Sequence, residues 1–170
     1  HTTSFAYTLY GPDHWDLRDI VAIVSREEKA VGSSQGHIAA ETSPHFTTRL
    51  AELPARLKTV RQAIRNRDIE ALGEAAEADA ISLHVVAMTS RPPIYYWAPG
   101  TVRLIHAVQA WRREGVPVYF TLDAGPNVHL ICEAEHEADV LTRLAGIDEV
   151  SEVLVSGPAV GTRLTDDHLF

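Results

Sequence analysis

The chain has 170 residues, 45% of them hydrophobic and 22% charged, with a formal net charge of −8, a balance that suits one ordinary globular domain. Such acidity excludes a nucleic-acid surface, which needs a dense basic patch, yet leaves room for a small phosphorylated ligand held by a few amides and a cation. Cys132 is the single cysteine, so no internal disulfide can form and a reducing, cytoplasmic setting is expected.

No apolar run approaches the roughly 20 residues of a membrane span, and no basic-then-apolar leader opens the chain. It begins at His1 without methionine, which reads as an N-terminus that is not the natural one. In chain order, Ser4 to Tyr10 is rich in aromatic residues and predicts a strand, broken by Gly11, Pro12 and Asp13. Asp19 to Ser25 is a continuous apolar run, the mark of a strand buried on both faces. Arg26 to Ser43 is polar and without period, a long loop with at most a short helix near Gly36 to Ala40.

Three helical segments follow. Ser43-Pro44 predicts the first cap, and Pro54 marks the junction with a second segment whose stripe is Leu53, Leu57, Val60 and Ile64. Asp68 caps a third, with Ile69, Leu72, Ala76, Leu83 and Ala87 on one face. A further helix runs from Pro99 to Glu114, with Val102, Ile105, Val108 and Trp111 buried, and Gly115 stops it. Pro117 to Leu122 alternates as a strand, with Val118, Phe120 and Leu122 on one side and Tyr119, Thr121 and Asp123 on the other. A tight connection, Asp123 to Asn127, leads to a returning strand, Val128 to Cys132. Glu133 to Leu144 then reads as a helix and Val150 to Val155 as a last strand. This order predicts a single α+β domain, residues 1–170, with helices packed on a mainly antiparallel sheet.

Two segments carry polar groups suited to chemistry. Asp123 closes a strand opposite the Phe120/Leu122 stripe, so a hairpin delivers its carboxylate to a sheet edge, where it can orient or deprotonate an alcohol. Gly125 allows φ > 0 or close approach of a ligand, and Pro126 stiffens the turn. The same residues also make a plain Asx-type hairpin. Lys29 to His37 holds Gly32, Ser33, Ser34 and Gly36, whose amides and hydroxyls can converge on an anion beside the Lys29 charge. An ordinary surface loop has the same composition.

The histidines are scattered, without HxxxH or Cys/His pairing, so no metal site is expected. His84 reads as a satisfied core-edge residue and His106 as a surface or boundary one. Arg112-Arg113-Glu114 reads as a solvated helix end.

Taken together, His14-Trp15 with the strand after it, Gly32-Ser-Ser-Gln-Gly36, Glu41-Thr-Ser-Pro44 and Pro93-Ile-Tyr-Tyr96 resemble the C-terminal half of the diphosphomevalonate decarboxylase family, within the GHMP kinase superfamily. Tyr119-Phe-Thr-Leu-Asp-Ala-Gly-Pro-Asn127 is the most specific match. The resemblance implies the GHMP C-terminal fold and ATP-dependent decarboxylation of a mevalonate phosphate ester, with ATP and Mg2+ as cosubstrate and ion. It implies Asp123 as the catalytic carboxylate and Ser33 and Ser34 as substrate contacts, with Lys29 neutralising phosphate charge. His37, from its ligand-directed loop, and Gly125, from the turn, are expected as further substrate contacts.

Ser34 stands where bacterial diphosphate-using relatives often carry arginine, and His37 where methionine is usual. Loss of that guanidinium fork points to a 5-monophosphate substrate, with the 5-diphosphate as rival. The family's ATP-binding N-terminal half is not in this sequence. That half and a homodimer partner are the expected partners, and the chain alone is expected to be inactive. Two alternatives are a GHMP kinase that does not decarboxylate and a non-catalytic small-molecule-binding α+β module.

Overall fold

The computed structural model describes residues 6–27 and 31–161, apart from the side chain of Ser33. Its elements are β1 (Leu17–Ile23), α1 (Ser33–Ala40), α2 (Phe46–Asn66), α3 (Ile69–Met88), α4 (Pro99–Arg113), β2 (Tyr119–Thr121), β3 (Val128–Glu133), α5 (Glu137–Leu144) and β4 (Glu152–Ser156). The strands form one sheet in the order β2-β3-β1-β4, antiparallel at every pairing. This is the split βαβ arrangement, with α1 to α4 filling the first crossover and α5 the second. The predicted α+β class and antiparallel sheet hold.

Period-2 alternation builds the main core. Ile20 and Ala22 of β1, Phe120 of β2, and Val128, Leu130 and Cys132 of β3 are each at most 2% exposed. They pack with Leu104, Val108 and Trp111 of α4 and with Val140 and Leu144 of α5. Truncating Phe120 to alanine here would cost about 3–5 kcal/mol. Burial pushes the Cys132 thiol up to about 11, so it packs as a small apolar group. On the opposite face Trp15, Ala63 and Leu72 gather Leu17 and Ile131 into a smaller cluster. That cover is partial, so β1 is fully buried at Ile20 and Ala22 and half-buried elsewhere, rather than buried on both faces throughout.

Several local expectations are corrected. Ala6 to Tyr10 form no strand; Ser4 and Phe5 lie outside the described residues. Instead Tyr10 stacks on His14, whose Nε2 lies 2.8 Å from the Ile64 carbonyl, and Trp15 Nε1 donates to Glu133. Pro54 does not divide two helices: α2 runs straight through it. The missing amide removes one bond to the Leu50 carbonyl, while contacts with α3 on both sides hold the rod together. Leu57 faces solvent and Ala63 takes the buried position.

Helix α2 starts at Phe46, because Ser43 Oγ accepts from the His45 amide and pairs with Thr89 Oγ1 at 2.7 Å. Asp68 caps α3 as expected, accepting from the Ala71 amide. In α4, Leu104 is buried and Val102 is 40% exposed. The segment from Glu133 begins as strand and 3-10 turn before α5 takes over at Glu137.

Arg112 is not a solvated helix end. Its guanidinium grips both carboxylate oxygens of Glu77 and the Val118 carbonyl, and lies 4.6 Å above the Tyr119 ring. Glu77 also accepts from the Phe120 amide, so one carboxylate ties α3, α4 and β2 together. Gly73 makes this possible, since a Cβ there would run into the Tyr119 ring.

Candidate functional site

The connection between β2 and β3 is built as an Asx turn: Asp123 Oδ1 accepts from the Gly125 amide at 2.8 Å, with Gly125 at φ 66°. Three outside groups clamp it. Asn127 Oδ1 accepts from the Val24 and Ser25 amides at the end of β1. Thr101 Oγ1, in the first turn of α4, donates to the Pro126 carbonyl at 2.5 Å. The His84 ring hydrogen-bonds the main chain of Asp123. A carboxylate on a turn held at three points keeps its direction without help from a ligand.

Beside the turn lies a cavity of about 400 Å³, walled by Gly36 and His37 of α1, Arg49 of α2, Leu83 and Val86 of α3, Tyr96, and Asp123 with Ala124. Apolar side chains and a few convergent polar groups are the usual make-up of a small-molecule site. Arg49 brings a cation to the wall. Both its terminal nitrogens bond the Asp79 carboxylate, at 3.0 Å each, and Arg56 shares the same acid at 2.7 Å. Burial works against the Asp79 charge, but the two arginines outweigh it and hold its pKa below the ordinary carboxylate value.

The structure therefore brings Asp123 and His37 to one cavity. Ser34 sits in the first turn of α1 on its exposed side, outside the wall of that cavity. Ser33 begins the helix, its side chain lying outside the described residues, as does Lys29 altogether. Gly125 is not among the residues that wall the cavity; a Cβ there would lie 3.3 Å from the Tyr96 carbonyl and 3.8 Å from His84 Cε1. Among the described residues no group of three or more His, Cys, Asp or Glu is placed to hold a metal ion.

Sequence reasoning missed His84, Tyr96, Thr101 and Arg49. His84 is 1% exposed, and its Nε2 has no hydrogen-bond partner among the described residues. Burial lowers its pKa, with the Asp123 main chain opposing, so the ring is neutral. The expected core-edge residue thus lies fully inside the core, with one ring nitrogen unsatisfied. A signal was present: a histidine inside the apolar face of a long helix needs a polar partner.

The sequence profile of the mevalonate 5-diphosphate decarboxylase C-terminal domain family matches residues 19–156. Phosphomevalonate decarboxylase of Haloferax volcanii is 35% identical over 147 residues, covering 85% of this chain and 45% of that protein. Diphosphomevalonate decarboxylase of Homo sapiens is 33% identical over 129 residues, covering 73% of this chain and 32% of that protein. Among solved structures, MDDEF in complex with MVAPP, AMPPCP and magnesium superposes with a TM-score of 0.78 at 31% identity, over 85% of this chain and 45% of that one. Mevalonate diphosphate decarboxylase from Staphylococcus aureus superposes with a TM-score of 0.80 at 27% identity, over 85% and 44%. The chain thus spans between about a third and a half of the length of these relatives.

Proposed function

The chain belongs to the mevalonate 5-diphosphate decarboxylase C-terminal domain family, and from that premise we propose that it is the substrate side of an ATP-dependent decarboxylase. The substrate is mevalonate 5-phosphate, with the 5-diphosphate as rival. The observation that carries this reading is that Asp123, on its clamped turn, and His37 of α1 face one cavity. A six-carbon ester can bridge them.

In this mechanism the Asp123 carboxylate aligns the tertiary C3 hydroxyl and takes its proton as the oxygen attacks the γ-phosphorus of ATP, with ADP leaving. The C3–O bond then breaks, phosphate departs with the electron pair, and the C–C bond to the carboxylate supplies the electrons of the new alkene as CO2 leaves. The products are isopentenyl phosphate, CO2, ADP and phosphate. His37, Ser33 and Lys29 are assigned to the phosphate end of the ester, and Gly125 to the shape of the catalytic turn; Ser34, on the exposed side of α1, is left out of that contact set.

Nucleotide and ion are assigned to an N-terminal half of the kind that completes the relatives, since this chain spans less than half of their length. Homodimeric assembly and a cytoplasmic setting belong to the same proposal; the one buried thiol suits the latter. No helix among the described residues is long and apolar enough to cross a membrane.

The test is release of CO2 and ADP by the full-length enzyme supplied with ATP and each ester. One-to-one release, faster with the monophosphate, is expected. ADP without CO2 would make it a kinase alone, and equal turnover of both esters would remove the monophosphate preference. The 170-residue chain by itself should be silent, and turnover without a second polypeptide would refute the need for a nucleotide-binding half.

A further inference from the structure

Three buried polar atoms have no hydrogen-bond partner among the described residues: His84 Nε2, Tyr96 Oη and Trp97 Nε1. They belong to one aromatic cluster, the His84 ring centred 6.2 Å from Tyr96 and 5.2 Å from Trp97. Buried polar groups without partners are rare in folded proteins, and each one calls for a reason. Of the three residues, Tyr96 alone belongs to the wall of the Asp123 cavity.

Its hydroxyl reaches the foot of α1. A Cβ at Gly36 would lie 2.5 Å from Tyr96 Oη, closer than atoms of this kind approach. Glycine at 36 therefore keeps room for the phenol next to His37. Any side chain there would push the ring aside. Burial raises the pKa of the phenol, so at neutral pH it stays protonated and can donate. A donor in a wall that also carries the Arg49 guanidinium suits an anionic oxygen.

We propose that the Tyr96 hydroxyl donates a hydrogen bond to a phosphate oxygen of the ligand in the Asp123 cavity, which makes Tyr96 a specificity-determining residue. The phosphate end, rather than the reacting hydroxyl, follows from position: Oη sits against Gly36 of α1, next to His37, which the proposed function assigns to the phosphate. The assignment rests on the proposed function for the identity of the ligand.

The experiment compares wild-type and Tyr96→Phe full-length enzyme by calorimetric titration with mevalonate 5-phosphate, alongside thermal melts. Phenylalanine keeps the ring and removes the donor. The dissociation constant should rise about tenfold or more, as for a lost hydrogen bond to a charged group. The melting temperature should stay level or rise, since no internal partner is lost. An unchanged dissociation constant, or a weaker one accompanied by a lower melting temperature, overturns the proposal.

Gly36→Ala supplies an independent check. It should weaken binding in the wild-type background and add little on top of Tyr96→Phe, because both act on one hydroxyl. Additive losses would overturn the assignment. A wild-type enzyme that binds no mevalonate phosphate would instead refute the functional reading itself, a result distinct from a Tyr96→Phe variant that binds as well as wild type.

Discussion

The two polar stations of α3 have opposite designs. At Glu77 every oxygen is used: the carboxylate takes two bonds from Arg112 and one from the Phe120 amide, and the acid is only 15% exposed. About two turns further along, His84 is buried more deeply still, yet leaves Nε2 without a partner, with Tyr96 Oη and Trp97 Nε1 in the same state. One helix thus carries a junction that holds the fold and a neighbourhood that holds polar groups in reserve beside a cavity. Where all hydrogen-bonding capacity is consumed internally, a ligand gains nothing. Where some is withheld, a ligand can use it at the expense of native stability.

The sharpest way to break this contrast is Asp123→Asn. The amide oxygen keeps the bond from the Gly125 amide, so melting should be unchanged, while loss of the proton acceptor should cut decarboxylation about 10³-fold. A variant that melts lower and still turns over would place Asp123 on the structural side.

Glu77→Ala is the mirror experiment. It strands the Phe120 amide and a guanidinium that is 24% exposed, and should cost about 2–3 kcal/mol in a denaturant melt at constant slope. The affinity of the folded fraction for ligand should not move.

The smallest effect is a pH dependence. The folded pKa of His84 lies below its ordinary value of 6.5 because burial disfavours the cation. As pH falls below about 6.5 the unfolded chain binds a proton that the folded chain refuses. Stability from this residue is therefore present above that pH and declines as the solution becomes more acidic. His84→Asn keeps a side-chain donor to the Asp123 main chain and removes the titration. Its melting temperature should fall less than wild type between pH 7 and 5, and an identical acid limb would exclude His84 as a source.

Much of the fold was legible because the relevant signals are local. The Asp68 cap, the Phe120/Leu122 alternation and the glycine-proline turn after Asp123 each act within a few residues, and the structure keeps all three. Misreadings occurred where tertiary contact overrules local preference. Pro54 would end an isolated helix, but packing against α3 carries α2 through. Ser43 is a good cap by residue type, but Thr89 draws its hydroxyl into a pair three residues before the helix begins. Arg112 looked solvated because its partner, Glu77, lies on a different helix. For the site, the Asp123 turn could be read directly, whereas the Tyr96 and His84 cluster could not. Nothing near those residues says which buried nitrogen or hydroxyl will lack a partner, since that depends on everything packed around it.

The sequence by itself determined most of the order of elements, the alternation that sends Phe120 and Leu122 to the main core, and the carboxylate that follows them, because backbone preference and side-chain period operate at short range. Only the tertiary structure decided that Gly36 and His37 of α1 meet Asp123 across a single cavity, that Arg49 rather than Ser34 stands in its wall, and that the buried hydroxyl of Tyr96, another wall residue, is left unpaired. Those are outcomes of how helices pack on a sheet, where volume and hydrogen-bond satisfaction are settled among residues far apart in the chain.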